Sequence, residues 1–384
     1  MRAPSGEGVQ PSILHINTEK TWRGGESQVL YLMQGLKSAG HRTTVAAAPG
    51  SALAQRSAEA GIELFQVKMA GDLDVGAASR IARFARDGRF DILHAHTARA
   101  HAIGILARIL GAPCKLVVAR RLDFPVSKHF ISRLKYRTRL VDQYLAIGEA
   151  VRSVLLQAGV PARRIRVIHS AIDPDRFEEA RRRRALGVRL HRRELGLPED
   201  VPLVGNVAAL AGHKAQRDLV EAMALLLREV PSAHLAIAGE GEERSRLEAQ
   251  IRNLGLGDRI HLLGFRRDVP DLLASFDLFA MSSVLEGLGT SVLDAFAVGV
   301  PVVATRAGGL PEMVFHEETG LLVPVGDPPA LARAMARLLG DSEGADRLAA
   351  AGRRLVESTF TVRTMVERTR SAYSELLSPR PTAA

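Results

Sequence analysis

Apolar residues along this chain alternate between two arrangements. Short compact blocks such as Ile13-Leu14-His15-Ile16 are bounded by polar or glycine-containing stretches. Between them lie longer runs in which apolar residues recur every three or four positions, as in Glu26–Ala39, Ala98–Leu110 and Ser132–Leu140. The blocks predict strands and the periodic runs predict amphipathic helices. Further strands are predicted at Thr44–Ala48, Glu63–Val67, Asp91–Ala95, Lys115–Ala119, Gln143–Ile147 and Ile165–Ile168. Alternation of strand and helix predicts a parallel sheet covered on both faces.

The pattern then restarts. Leu203–Val207 opens a second series, with strands at Ala233–Ala238, Ile260–Leu263, Leu278–Met281 and Val302–Ala304. Between Ala171 and Leu197 the arginine-rich stretches 181–184 and 189–193 carry no strand pattern, which places the boundary there. The expected organisation is a first domain over 1–185, a second over 186–360 and a terminal helix over 361–384. Pro329–Leu377 reads as helical throughout. The chain of 384 residues is long enough for two such domains, each with its own core.

The densest chemistry lies at 286–309. Glu286 and Asp294 flank Gly287, Gly289, Thr290 and Ser291, and an apolar run to Val298 ends at Gly299. A β-branched strand, Val302-Val303-Ala304-Thr305, and the turn Gly308-Gly309 follow. The segment reads as loop, helix, strand, loop. Thr290 or Ser291 is expected to cap the helix, and Gly299 suits a left-handed C-terminal position. Free N–H groups at such a start attract anions, and the glycines admit a phosphate. Asp294 then falls one turn inside the helix and Glu286 on the loop before it. Ligands of open α/β sheets bind at the carboxyl ends of strands, and two such edges facing each other would form one deep cleft.

The 286–305 segment resembles the acidic signature of glycosyltransferase family 4, whose fold is GT-B. Other pieces match in order: Val204-Gly205-Asn206 with Lys214, Ala238-Gly239-Glu240-Gly241, Leu263-Gly264-Phe265-Arg266 and Gly308-Gly309-Leu310-Pro311-Glu312. In the first half, Gly24-Gly25-Glu26 and His94-Ala95-His96 match as well. The resemblance covers roughly residues 12–375. It implies two Rossmann-like doubly wound domains facing across a cleft, with the last helix crossing back to the first domain. It also implies a retaining transfer from a nucleotide-diphosphate sugar, without a required cofactor or metal.

By the same resemblance Asp294 accepts from ribose hydroxyls, Glu286 contacts the donor sugar, Lys214 binds the diphosphate and His96 meets the sugar. Glu286, Lys214 and His96 are thus the candidate catalytic residues. Gly24, Gly25, Gly287, Gly289, Thr290, Ser291 and the base-side loops with Gly239, Phe265 and Arg266 are candidate donor contacts. Two departures stand out. The second acid is Asp where the family has Glu, and no Arg precedes Lys214, where Ala208-Ala209-Leu210 occur instead. His213, Arg217, Arg120 and Arg121 are candidate substitutes for phosphate or acceptor contact. His94 and His96 share one face of their strand and could hold a metal, but no acidic or cysteine partner is near in sequence. Asp72-Leu73-Asp74 reads as a helix cap and Asp173-Pro174-Asp175 as a turn rather than as metal sites.

Charge changes the picture of the partners. Residues 1–195 hold 33 of the 52 basic residues and only 17 of the 42 acidic ones. A basic half suggests an anionic surface or substrate. With four Tyr and one Trp, stacking on nucleic acid is poorly supported. Anionic lipid, or an acceptor carrying phosphate, fits better, and a lipid-linked or saccharide acceptor in bacterial cell-envelope polysaccharide or lipopolysaccharide synthesis is expected. Peripheral contact with the anionic inner face of the plasma membrane is expected, with Phe124–Lys135 the candidate segment. No apolar run reaches the ~18 residues of a membrane span. A polar Met1–Gln10 and a lone Cys114 point to the cytoplasm. Two other readings stay open: a catalytically weak GT-B scaffold, supported by the two departures, and a nucleotide-sugar epimerase.

Overall fold

The protein is described from a computed structural model covering residues 10–126 and 130–378. It divides into two compact units, residues 1–170 with 362–384 and residues 171–361.

The first unit is built on seven parallel strands: β1 (Ile13–Ile16), β2 (Thr43–Ala47), β3 (Glu63–Gln66), β4 (Ile92–Ala95), β5 (Lys115–Arg120), β6 (Gln143–Ala146) and β7 (Ile165–Val167). Their order is β3-β2-β1-β4-β5-β6-β7, so the sheet reverses direction between β1 and β4. The helices are α1 (Gly24–Ser38), α2 (Ala52–Glu59), α3 (Val75–Asp87), α4 (Ala98–Ile109), α5 (Phe130–Arg137) and α6 (Glu149–Gln157). β1, β4 and β6 are buried along their whole length, as strands covered on both faces must be.

The second unit opens with α7 (Glu178–Ala185) and α8 (Leu190–Glu194). Its six parallel strands are β8 (Leu203–Val207), β9 (His234–Ala238), β10 (Ile260–Gly264), β11 (Leu278–Met281), β12 (Val302–Thr305) and β13 (Leu321–Val323), ordered β10-β9-β8-β11-β12-β13. The helices between and after them are α9 (Gln216–Leu226), α10 (Arg244–Asn253), α11 (Val269–Ala274), α12 (Thr290–Val298), α13 (Pro328–Gly340) and α14 (Ser342–Thr359). The chain then returns to the first unit as α15 (Val362–Leu377). This helix buries Met365, Val366, Thr369, Ala372 and Tyr373. Its contact with α1 is close because Gly35 has no side chain; a Cβ there would lie 2.3 Å from Val366 Cγ2.

Three expectations need correction. β13 was not foreseen, because its three residues are squeezed between Gly320 and Pro324. The 329–377 stretch is helical as expected, in three segments that break where Asp341 caps α14 and again at 360–361. The arginine-rich stretch is not a bare linker. It forms α7 and α8, and it belongs to the second unit. Finally, neither Thr290 nor Ser291 caps α12.

The arginines of that stretch are spent internally. Arg181 pairs with Glu178, and Arg183 with Glu179 and Asp271. Arg184 and Arg189 donate to the carbonyls of Ala274, the last residue of α11, and of Phe276 just after it. Arg192, only 1% exposed, donates to the carbonyls of Glu199 and Val201 and to Asp277. Part of the basic excess read from the sequence therefore holds the second unit together.

Candidate active site

In the second unit, α12 starts at the carboxyl end of β11 with Gly289 in its N-cap position, at φ +91°. No side chain among the described residues caps it, so the N–H groups before Val292, which itself bonds the Gly289 carbonyl at 2.9 Å, are left for another acceptor. Gly289 is required on two counts. Its φ is left-handed, and a Cβ would lie 2.7 Å from Leu310 Cδ2. Gly299 ends the helix at φ +81°, as its sequence position suggested.

Glu286 sits just before this start and forms an ion pair with Lys214. Lys214 comes from the loop after β8, and the two side chains are only 16% and 11% exposed. Ser283 Oγ donates to Glu286 Oε2 at 3.2 Å, while Thr305 Oγ1 holds the Ser283 carbonyl at 2.6 Å. Ser282 Oγ donates to the Lys214 carbonyl at 3.1 Å. Two serines at the end of β11 thus tie both charged residues in place. Neither serine was singled out from sequence, although the carboxyl end of a strand was the signal available. Lys214 is followed by Ala215 at φ +50°, a left-handed conformation in a non-glycine residue. The lysine is thereby aimed by a strained turn.

Asp294 lies on α12, partly exposed. Burial pushes its carboxyl up to about 7, and Arg176 offsets only part of this. Gly239 donates its N–H to the Gly264 carbonyl at 2.8 Å, beside the Ala208 carbonyl. Phe265 is exposed. Arg266 is bound by Glu194 and Asp268, which account for its hydrogen bonds together with His191; none goes to residues 286–294. Arg217 is exposed and pairs with its neighbour Asp218. The His213 carbonyl accepts from the Val284 N–H at 2.9 Å, joining the lysine loop to the segment before Glu286.

In the first unit, His96 ends β4 beside two other buried histidines, His94 and His15 of β1. His15 and His94 are register partners across the β1–β4 pair. His15 Nδ1 and His96 Nε2 are hydrogen-bonded at 2.8 Å, and the His94 and His96 rings lie 4.0 Å apart. The Tyr373 hydroxyl, brought by α15, bonds His94 Nδ1 at 2.6 Å. Burial holds His15 down at about 3 and keeps His94 and His96 well below the ordinary histidine value, so all three are neutral. His15 Nε2, His94 Nε2 and His96 Nδ1 have no partner among the described residues. His15 and Tyr373 were not foreseen; the strand order that pairs β1 with β4 would have flagged the first.

Three imidazoles whose nitrogens lie within 4.8 Å of one another form a donor set of the kind zinc takes. Two facts oppose a dication there. The His15–His96 bond occupies two of the nitrogens, and the Arg121 cation lies close enough to lower His94 and His96 further. Arg121 Nε is buried with no partner among the described residues, and burial lowers this guanidinium to about 10. The Arg121 side chain lies beside Gly25 at the start of α1; a Cβ on Gly25 would be 3.8 Å from Arg121 Cδ. Gly24 and Gly25 form the first turn of that helix, where Glu26 Oε2 accepts from the Arg23 N–H at 3.1 Å. Arg120 is already engaged, by the Tyr136 hydroxyl and the Phe124 carbonyl. Asp74 and Asp173 are caps, accepting from the Ala77 and Asp175 N–H groups. Residues 127–129 of the Phe124–Lys135 segment lie outside the described residues.

Two parallel-sheet Rossmann-like units are the architecture of the GT-B fold. Comparison with known proteins agrees. The profile of Glycosyl transferases group 1 matches residues 188–355, and that of Glycosyltransferase Family 4 matches residues 22–176. A 2-deoxystreptamine N-acetyl-D-glucosaminyltransferase of Streptomyces fradiae is 31% identical over 359 residues, covering 88% of this chain and 83% of that protein. The lipopolysaccharide core biosynthesis glycosyltransferase LpsE of Rhizobium meliloti is 34% identical over 194 residues, 50% of this chain and 55% of that one. Among solved structures, Anabaena Alr3699/HepE in complex with UDP and glucose superposes with a TM-score of 0.82 at 24% identity, covering 95% of this chain and 100% of that one. The chain belongs to the group 1, family 4 glycosyltransferases. No helix of the described residues is long and apolar enough to cross a membrane.

Proposed function

We propose that the protein transfers a sugar, with retention, from a nucleotide-diphosphate donor to an acceptor hydroxyl. The observation that carries this reading is the uncapped start of α12 with Lys214 and Glu286 at its mouth. A diphosphate takes the free N–H groups and the lysine, and these stabilise the charge that grows on it as the sugar leaves. Lys214 is shared between Glu286 and the phosphate, so donor binding loosens the ion pair and frees Glu286 for the sugar hydroxyls. Gly287, Thr290 and Ser291 line the approach, and Asp294 accepts from the ribose. Asp reaches one methylene less far than Glu, so the ribose sits closer to α12 or is met through a water.

In the first unit, the unpartnered His96 Nδ1 is suited to a sugar hydroxyl, and Gly24, Gly25 and Arg121 to donor or acceptor oxygens. No carboxylate beyond Glu286 and Asp294 is assigned to the site, which fits attack by the acceptor on the face the nucleotide leaves, with a phosphate oxygen taking the proton. The naming of LpsE for lipopolysaccharide core synthesis favours a cell-envelope saccharide as acceptor, with the membrane's inner face as the place of work.

A screen of nucleotide sugars against lipid-linked and free saccharides, read by product mass spectrometry and anomeric NMR, tests the assignment. A new glycosidic bond with the donor's anomeric configuration supports it. Consumption of donor without acceptor, giving a rearranged sugar, would favour an epimerase, and an inverted product would end the retaining assignment.

A further inference from the structure

The first unit has a cavity at the edge of its sheet opposite His96. It lies at the amino ends of β5, β6 and β7 and has a volume of about 850 Å³. That falls in the range of sites that enclose a small ligand. Lys115, Arg139, Gln143, Arg163, Arg166 and Glu375 are among its lining residues.

The cations divide into those already used and those left over. Lys115 meets Asp142 at 3.3 Å, and Asp142 also meets Arg108 at 3.7 Å. Arg166 pairs with Glu375, and Arg164 donates to the Thr138 carbonyl at 3.0 Å. These are structural uses. Arg139 and Arg163 are exposed and form no hydrogen bond or ion pair among the described residues. Below them Gln143 is 7% exposed, yet its Oε1 is buried with no donor. Buried amide oxygens in folded proteins are almost always satisfied, and Gln143 is one of the residues that line this cavity.

We propose that this cavity binds a phosphate ester that carries a free hydroxyl, of the glycerol phosphate kind. The phosphate takes Arg139 and Arg163, whose planar guanidinium groups match its oxygens two at a time. Lys115 and Arg166 add to the positive field. The hydroxyl donates to Gln143 Oε1. Such a group exists free in solution and as the headgroup of an anionic phospholipid. The site shares no residue with the proposed transfer site and stands or falls separately.

The test uses the full chain. Calorimetric titration with inorganic phosphate and with glycerol 3-phosphate is run on the wild type, on Arg139→Ala/Arg163→Ala and on Gln143→Leu. Glycerol 3-phosphate is expected to bind about tenfold more tightly than inorganic phosphate, the worth of one buried hydrogen bond. Gln143→Leu removes that preference, and the double variant weakens both ligands at least about tenfold. Both arginines are exposed, and matching melting temperatures verify that the double variant is folded. Sedimentation with phosphatidylglycerol and phosphatidylcholine vesicles separates the sources. Binding to phosphatidylglycerol alone, lost in the double variant, assigns the site to a lipid headgroup even if the free ester binds too weakly to detect. Binding of the free ester with no vesicle binding assigns it to a soluble ligand. If neither binds, or if binding is unchanged in the variants, the proposal is overturned.

Discussion

Replacing Asp294 by Asn removes an ionisation that the fold opposes. Burial raises this carboxyl from the ordinary 3.8 to about 7. Between those values the folded protein keeps a proton that the unfolded chain has released. Raising the pH through that window therefore favours unfolding, and the cost is complete above the folded value. The gap corresponds to roughly 4 kcal/mol, which the partial exposure of Asp294 reduces to about 2–3 kcal/mol. Asn does not ionise, so Asp294→Asn escapes this dependence. Thermal unfolding of both proteins from about pH 4.5 to 8 should show the variant gaining roughly 5–10 °C on the wild type as pH rises, for a unit of this size. The same titration appears in ligand binding. Ribose hydroxyls favour the ionised carboxylate, so the ratio of wild-type to variant affinity for a nucleoside diphosphate should climb with pH up to about 7 and then level off. A melting difference that does not vary with pH would refute the burial argument, and a flat affinity ratio would remove Asp294 from the ribose.

Glu286→Gln should lower kcat by at least about a hundredfold with little change in donor KM, whereas Asp294→Asn should mainly raise donor KM; equal small effects would deny both roles. Ala215→Gly should stabilise the second unit by about 0.5–1 kcal/mol, because the relief of a left-handed alanine exceeds the added freedom of the unfolded chain. A loss above about 1 kcal/mol in urea unfolding would show that the Ala215 methyl matters more than its φ. Arg192→Met should cost about 3–5 kcal/mol, since Asp277 loses a buried partner and the 199–201 turn loses its donor. A cost below about 1 kcal/mol in the same assay would mean the network is dispensable.

Much of the architecture was legible because parallel strands buried on both faces leave compact apolar blocks. β1, β4 and β8 were read from such blocks, and the restart at Leu203 announced a second sheet. β13 was not legible, since Leu321-Leu322-Val323 is too short to be told from a loop. Arg184, Arg189 and Arg192 were counted with the basic half that suggested an anionic surface or substrate. Their carbonyl partners at Ala274, Phe276 and Val201 are set by tertiary contact and leave no local pattern. The Gly289–Asp294 spacing was readable as a helix start. The cap was not, because Thr290 is already inside the helix and glycine takes the N-cap position. The convergence of His15, His94, His96 and Tyr373 needed the strand order and the return of α15, neither of which spacing encodes.

Donor recognition by the second unit is tested most directly by the crystal structure of the protein soaked with uridine diphosphate. The prediction is diphosphate oxygens within hydrogen-bond distance of Lys214 Nζ and the first N–H groups of α12, with ribose hydroxyls on Asp294. Density elsewhere, or none at saturating ligand, would contradict it.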